Sequence, residues 1–61
     1  MFMPCVGQHV VCQVEPDRVF PCRVLAVSPL NMRAKVVVTS GVMARMVKWV
    51  SIPASGMRRV I

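Results

Sequence analysis

Apolar and polar residues alternate at every second position over much of this 61-residue chain. Val10, Cys12 and Val14 fall on one side of the alternation and His9, Val11 and Gln13 on the other, which predicts a strand over residues 8–14. Phe20, Cys22, Val24 and Ala26 against Pro21, Arg23, Leu25 and Val27 predict a second over 19–28. Pro21 has no N–H for a ladder, so it belongs at the strand start or at an edge. Ala34, Val36 and Val38 against Arg33, Lys35, Val37 and Thr39 predict a third over 33–39. A fourth, over 42–52, turns Val47 and Trp49 toward the core and Arg45 with them; a bulge near Met46 would reconcile Arg45 with Lys48. A short fifth covers 57–61.

The segments between these runs carry turn chemistry. Gly7 permits a sharp approach to the first strand, and Glu15-Pro16-Asp17-Arg18 and Ser28-Pro29-Leu30-Asn31 read as turns. Ser40-Gly41 is a two-residue hairpin signal, and Pro53-Ala54-Ser55-Gly56 fits one 3₁₀ turn. Fourteen Val, with five Pro and three Gly cutting the chain into short pieces, leave no segment that reads as a helix. The expectation is one all-β domain over 1–61: a five-stranded, strongly bent barrel with a 3₁₀ turn before the last strand and an arm at 1–6.

Two stretches resemble a known superfold. Phe20-Pro21-Cys22-Arg23-Val24-Leu25-Ala26-Val27 is similar to the second strand of Tudor-like and related SH3-like barrels. Ile52-Pro53-Ala54-Ser55-Gly56-Met57-Arg58-Arg59-Val60 resembles their strand, 3₁₀ turn, strand ending; the plasmid type II dihydrofolate reductases, tetramers of such barrels, end in a similar way. The likeness implies the fold. The reductases read their ligands with a Val-Gln-Ile-Tyr run, where this chain has Trp49-Val50-Ser51-Ile52, so their activity does not carry over. Methyl-lysine reading, common among Tudor-like domains, needs an aromatic cage. This chain has only Phe2, Phe20 and Trp49, and no Tyr.

Charge narrows the function classes. Six Arg and two Lys oppose Glu15 and Asp17, a net charge of +6. A field of this sign attracts nucleic acid, DNA or RNA, or an acidic protein. Arg23, Arg33 and Lys35 share a parity on two neighbouring strands and form the expected phosphate-binding face, extended by Arg45, Lys48, Arg58 and Arg59. Trp49 is the expected stacking platform or interface anchor. The apolar content, 56%, exceeds what so small a barrel holds inside, so a homo-oligomer or a subunit of a larger assembly is expected.

Other chemistry finds little footing. Cys5, His9, Cys12 and Cys22 have zinc-ligand side chains, but the spacing C-x₃-H-x₂-C-x₉-C is not a standard knuckle and alternation puts His9 and Cys12 on opposite faces. Cys12 and Cys22, each flanked by large apolar residues at i±2, read as core thiols, so neither a metal nor a cofactor is expected. One His and two clustered carboxylates build no triad or acid–base pair, so no enzyme is expected. The odd Cys count, and the lack of a signal peptide or an 18-residue apolar run, point to a reducing cytoplasm, bacterial or of an infected host, and away from a membrane. The small size suits a phage or bacterial gene. The expected function is thus a small non-enzymatic nucleic-acid-binding module. Its rival is an interaction module, such as a phage accessory, inhibitor or structural protein, that docks an acidic partner through Trp49, Met and Arg.

Overall fold

The computed structural model of the protein describes residues 2–15 and 18–60. Five antiparallel strands follow in order: β1 (His9–Glu15), β2 (Arg18–Ser28), β3 (Arg33–Val38), β4 (Val47–Ser51) and β5 (Arg58–Arg59). They form one sheet in the order β4-β3-β2-β1-β5. The chain is therefore all-β, a meander of four strands whose last strand returns to pair with the first. Among the described residues β4 and β5 do not pair, so the expected barrel is not closed: the sheet is open and curled, with β4 brought toward β1.

Alternation sets the inner face. Val10, Cys12 and Val14 of β1, Phe20, Cys22 and Val24 of β2 and Ala34, Val36 and Val38 of β3 are buried, as their parity requires. Val50, Ile52 and Met57 complete this core, and Phe2, Val27, Met43 and Met46 pack against it. Burying each large side chain contributes roughly 1.5–3 kcal/mol, so a core of this size stabilises the domain only narrowly.

Two bulges bend the sheet. The β1–β2 register skips Val14, and the β2–β3 register skips Leu25. An extra residue on one strand increases local twist, which is what a lone sheet needs to fold over its own face. The arm is tied to the second bend: the Gly7 N–H donates to the Val24 carbonyl (2.8 Å) and the Val24 N–H to the Gln8 carbonyl (3.0 Å). Gly7 makes this approach at φ 87°, a region glycine reaches without a Cβ clash.

Pro21 lies inside a central strand without breaking the sheet. Its carbonyl accepts from the Thr39 N–H (3.0 Å) and the Thr39 hydroxyl (3.1 Å), just past the last β2–β3 pair, Cys22 with Val38. N–H and C=O of one strand residue point the same way, so the missing donor falls where the β3 ladder has ended.

The fourth strand departs from the sequence expectation in length and in parity. Residues 42–46 are loop, and the β3–β4 connection is not a two-residue hairpin but a longer run of turns. The Ala44 N–H donates to the Gly41 carbonyl (3.1 Å), the Met46 N–H to Met43 (3.0 Å) and the Arg45 N–H to Val38 (2.8 Å). Gly41 (φ 85°) and Arg45 (φ 72°) both take the left-handed region there. Arg45 is thus an exposed loop residue, not an inward strand residue, and no strand bulge at Met46 is needed. This connection delivers β4 in the register Val36 with Lys48 and Ala34 with Val50. Because Ala34 and Val36 face inward, Val50 does too, while Val47 and Trp49, expected inside, face outward at 49% and 43% exposure.

The rest agrees with the expected turns. Pro29–Asn31 is a short 3₁₀ helix between β2 and β3. Before β5 the chain makes a helical turn in which the Gly56 N–H bonds the Pro53 carbonyl (3.2 Å), the i→i+3 pattern of a 3₁₀ turn. Pro16 and Asp17 of the first expected turn, Met1 of the arm and Ile61 of the last strand lie outside the described residues.

Ile52 is among the largest fully buried side chains. Ile52→Ala is expected to remove about 2–5 kcal/mol, enough to leave so small a domain largely unfolded. Val42→Ala, at a position 91% exposed, is expected to change stability by less than about 0.5 kcal/mol. Urea unfolding followed by circular dichroism checks both.

Candidate functional site

Three of the expected phosphate contacts come together on the outer face of the sheet. Arg23 stands between His9 of β1 and Val37 of β3. Lys35 is directly opposite Trp49, and Arg33 is opposite Ser51. Direct cross-strand neighbours bring their Cβ atoms to about 5 Å, and Lys35 is one diagonal step from Arg23. Arg33 and Arg23 are exposed and Lys35 is half-buried, so a basic stripe crosses β2 and β3 and borders Trp49.

The other expected contacts are dispersed. Arg58 is also on the outer face, opposite Val11, but on the far side of β1. Arg59 is opposite Val10 and has the parity of Met57 at the open edge. Arg45 is in the β3–β4 loop. Lys48 pairs with inward-facing Val36 yet is exposed, and its Nζ donates to the Val14 carbonyl (3.1 Å), at the residue the β1–β2 ladder skips. A bulge carbonyl and a long amine thus tie β4 to β1 across the open side of the sheet.

That tie borders a groove the sequence did not reveal. It has a volume of about 410 Å³, and its lining includes Gln13, Glu15, Lys48, Trp49, Ser51 and Ser55. Its far wall is the turn before β5. The Ser55 carbonyl accepts from the Gln13 N–H (2.9 Å), the Ser55 hydroxyl donates to Ile52 (3.4 Å) and the Ser51 hydroxyl accepts from the Ala54 N–H (3.2 Å). Gln13 and Glu15 come from β1 and Trp49 and Ser51 from β4, strands that are not neighbours in the sheet. Only the curl brings them together, and the inverted parity of β4 puts Trp49 at the rim. The one sequence signal for it was the even-numbered apolar pair Val50 and Ile52.

The four zinc-type side chains are not gathered. His9 and Cys5 are exposed, whereas Cys12 and Cys22 are at most 1% exposed in the core. Among the described residues no group of three or more His, Cys, Asp or Glu could hold a metal ion. Cys12 and Cys22 are free thiols with their sulfurs 3.8 Å apart, and the Cys22 thiol also points to the Phe20 carbonyl (3.5 Å). Burial pushes both upward, Cys22 to about 12 with the neighbouring Cys12 adding to the shift. Neither is a ready nucleophile or metal ligand at neutral pH.

Comparison with protein-family models, with curated proteins and with solved structures finds no match to this chain.

Because Cys22 keeps its proton up to about 12 when folded, against 9.0 as the ordinary value, the unfolded chain binds fewer protons in between. The stability it contributes is complete below pH 9.0 and is lost as pH rises toward about 12. Urea midpoints measured at rising pH are expected to fall over that window, less steeply in Cys22→Ala. Iodoacetamide at pH 8 is expected to label exposed Cys5 alone until the chain is unfolded, as read by mass spectrometry. Lys48→Met is expected to cost about 1 kcal/mol in the same urea assay, the net worth of one hydrogen bond.

Proposed function

We propose that the protein is a small non-enzymatic module that binds nucleic acid, holding the phosphate backbone on the outer face of its sheet. The observation that carries this reading is the convergence of Arg23, Lys35 and Arg33 on one open face, with Trp49 directly across from Lys35. Arg matches phosphate with a forked pair of donors, and neutralising phosphates releases counterions, so such a stripe binds with little sequence preference. Glu15 stands at the opposite end of β2 from the Arg33 end of the face and lines the groove with Trp49; one carboxylate there leaves the three cations of the stripe in excess. Arg58, Arg59 and Arg45 supply a surrounding positive field rather than direct contacts.

The order β4-β3-β2-β1-β5 and the turn before β5 support placing the chain with the small SH3-like barrels. Trp49 stands without an aromatic partner: Phe20 is buried and Phe2 packs on the core, which disfavours a methyl-lysine cage. The module acts in this reading as an oligomer or within a larger assembly in the cytoplasm of a bacterial or infected cell. Exposed Val19 (59%) and Val47 (49%) and two sheet edges unpaired among the described residues support association.

Fluorescence anisotropy with labelled single-stranded DNA, duplex DNA and RNA, at low and moderate salt, tests the proposal. Micromolar or tighter binding that weakens steeply with salt is the expected result. Arg23→Glu and Lys35→Glu are each expected to weaken binding evenly across sequences and to lower the salt slope by about 1. No binding at low salt overturns the reading and leaves the outer face to an acidic protein partner.

A further inference from the structure

Resting on the nucleic-acid reading, we infer that the groove between β1 and β4 seats one unstacked base of a single strand against Trp49, while the backbone runs along Arg33 and Lys35. The groove and the basic stripe share a border. Trp49 and Ser51 line the groove, and their direct partners on β3 are Lys35 and Arg33. Those two cations are two strand residues apart, about 7 Å, close to the separation of neighbouring phosphates in an extended single strand. A strand laid along β3 therefore has its phosphates on the cations and its bases within reach of the groove.

The groove's own chemistry selects a base rather than a phosphate. Glu15 is a carboxylate within it and repels phosphate. Lys48 lends one of its three N–H donors to the Val14 carbonyl (3.1 Å) and offsets the Glu15 charge, leaving the groove without net positive charge, and the two serine hydroxyls bond the turn. What remains is a half-exposed indole, a carboxylate that accepts and the Gln13 amide. An aromatic face takes any base by stacking, and a carboxylate accepts from an exocyclic amine such as cytosine N4. Thymine and uracil lack that amine. A duplex keeps its bases stacked and out of reach of an indole set in a groove rim, so the ligand is single-stranded.

Trp49 is the only Trp, and the chain has no Tyr, so its emission reports this groove alone. The test titrates the full chain with oligo-dC, oligo-dT and duplex DNA of about a dozen nucleotides, reading Trp emission and, with labelled probes, anisotropy. Oligo-dC is expected to quench Trp49 and to bind more tightly than oligo-dT, with the duplex leaving emission unchanged. Trp49→Ala, checked as folded by circular dichroism, is expected to weaken oligo-dC binding roughly tenfold. Trp49→Phe retains most of the affinity, and Glu15→Gln narrows the gap between dC and dT. Anisotropy binding without quenching, equal binding by the duplex, equal dC and dT binding by the native chain or an unaffected Trp49→Ala overturns the base seat and leaves the phosphate face standing. Absence of anisotropy binding to every probe at low salt overturns both.

Discussion

A single sheet with no helix to cover it can hide an apolar face only by curling over that face. Every other feature of this molecule follows from that constraint. Among the described residues, twelve buried apolar side chains pack inside one sheet and its adjoining turn, with no second layer of secondary structure. The bulges at Val14 and Leu25 supply the bend, and the small thiols of Cys12 and Cys22 pack against each other, sulfurs 3.8 Å apart, in the core between them. The Lys48 amine bound to the Val14 carbonyl fastens β4 to β1 where no ladder joins them. The first bulge thus serves twice, bending β1 and presenting the oxygen that Lys48 holds.

The same curl sorts the charges. The outer parity of β2 and β3 turns Arg23, Arg33 and Lys35 away from the core, the two arginines exposed and Lys35 half-buried between its neighbours. Lys48, of the other parity on the edge strand β4, is also exposed, but its amine is held by the Val14 carbonyl. Two lysines of similar sequence context therefore have different fates. Lys35 belongs to the surface available to a polyanion and Lys48 to the scaffold beneath the groove.

The faces of β1 and β3, and of β2 as far as Val24, were legible from alternation. Beyond the Leu25 bulge the parity of β2 inverts: Ala26, expected inside, pairs with outward Lys35, and Val27, expected outside, pairs with inward Ala34 and packs against the core. The fourth strand was not legible. Val47, Trp49, Val50 and Ile52 offer apolar residues on both parities, and the largest of them, Trp49, suggested the wrong one. The eight-residue connection over 39–46, with left-handed Gly41 and Arg45, reset the register by means that propensity does not encode. Trp49 reads from the sequence as a stacking platform or interface anchor; its groove neighbours Gln13, Glu15 and Ser51 carry no such signal. They come from strands that alternation cannot place beside one another.

The amino-acid sequence by itself determined the class of fold, the strand spans of the first half, the inner face of β1, of β3 and of β2 up to its bulge, and the excess of positive charge. These are local or additive properties: a period of two, the turn preferences of Pro and Gly, and a sum of charges. Only the tertiary structure decided which way β4 faces, that Lys48 is a strut and Lys35 is free, and that a groove opens beside Trp49. Each of these depends on the pairing of β3 with β4 and on how far the sheet bends, which join residues ten or more positions apart and are set by packing of the whole core rather than by any one segment.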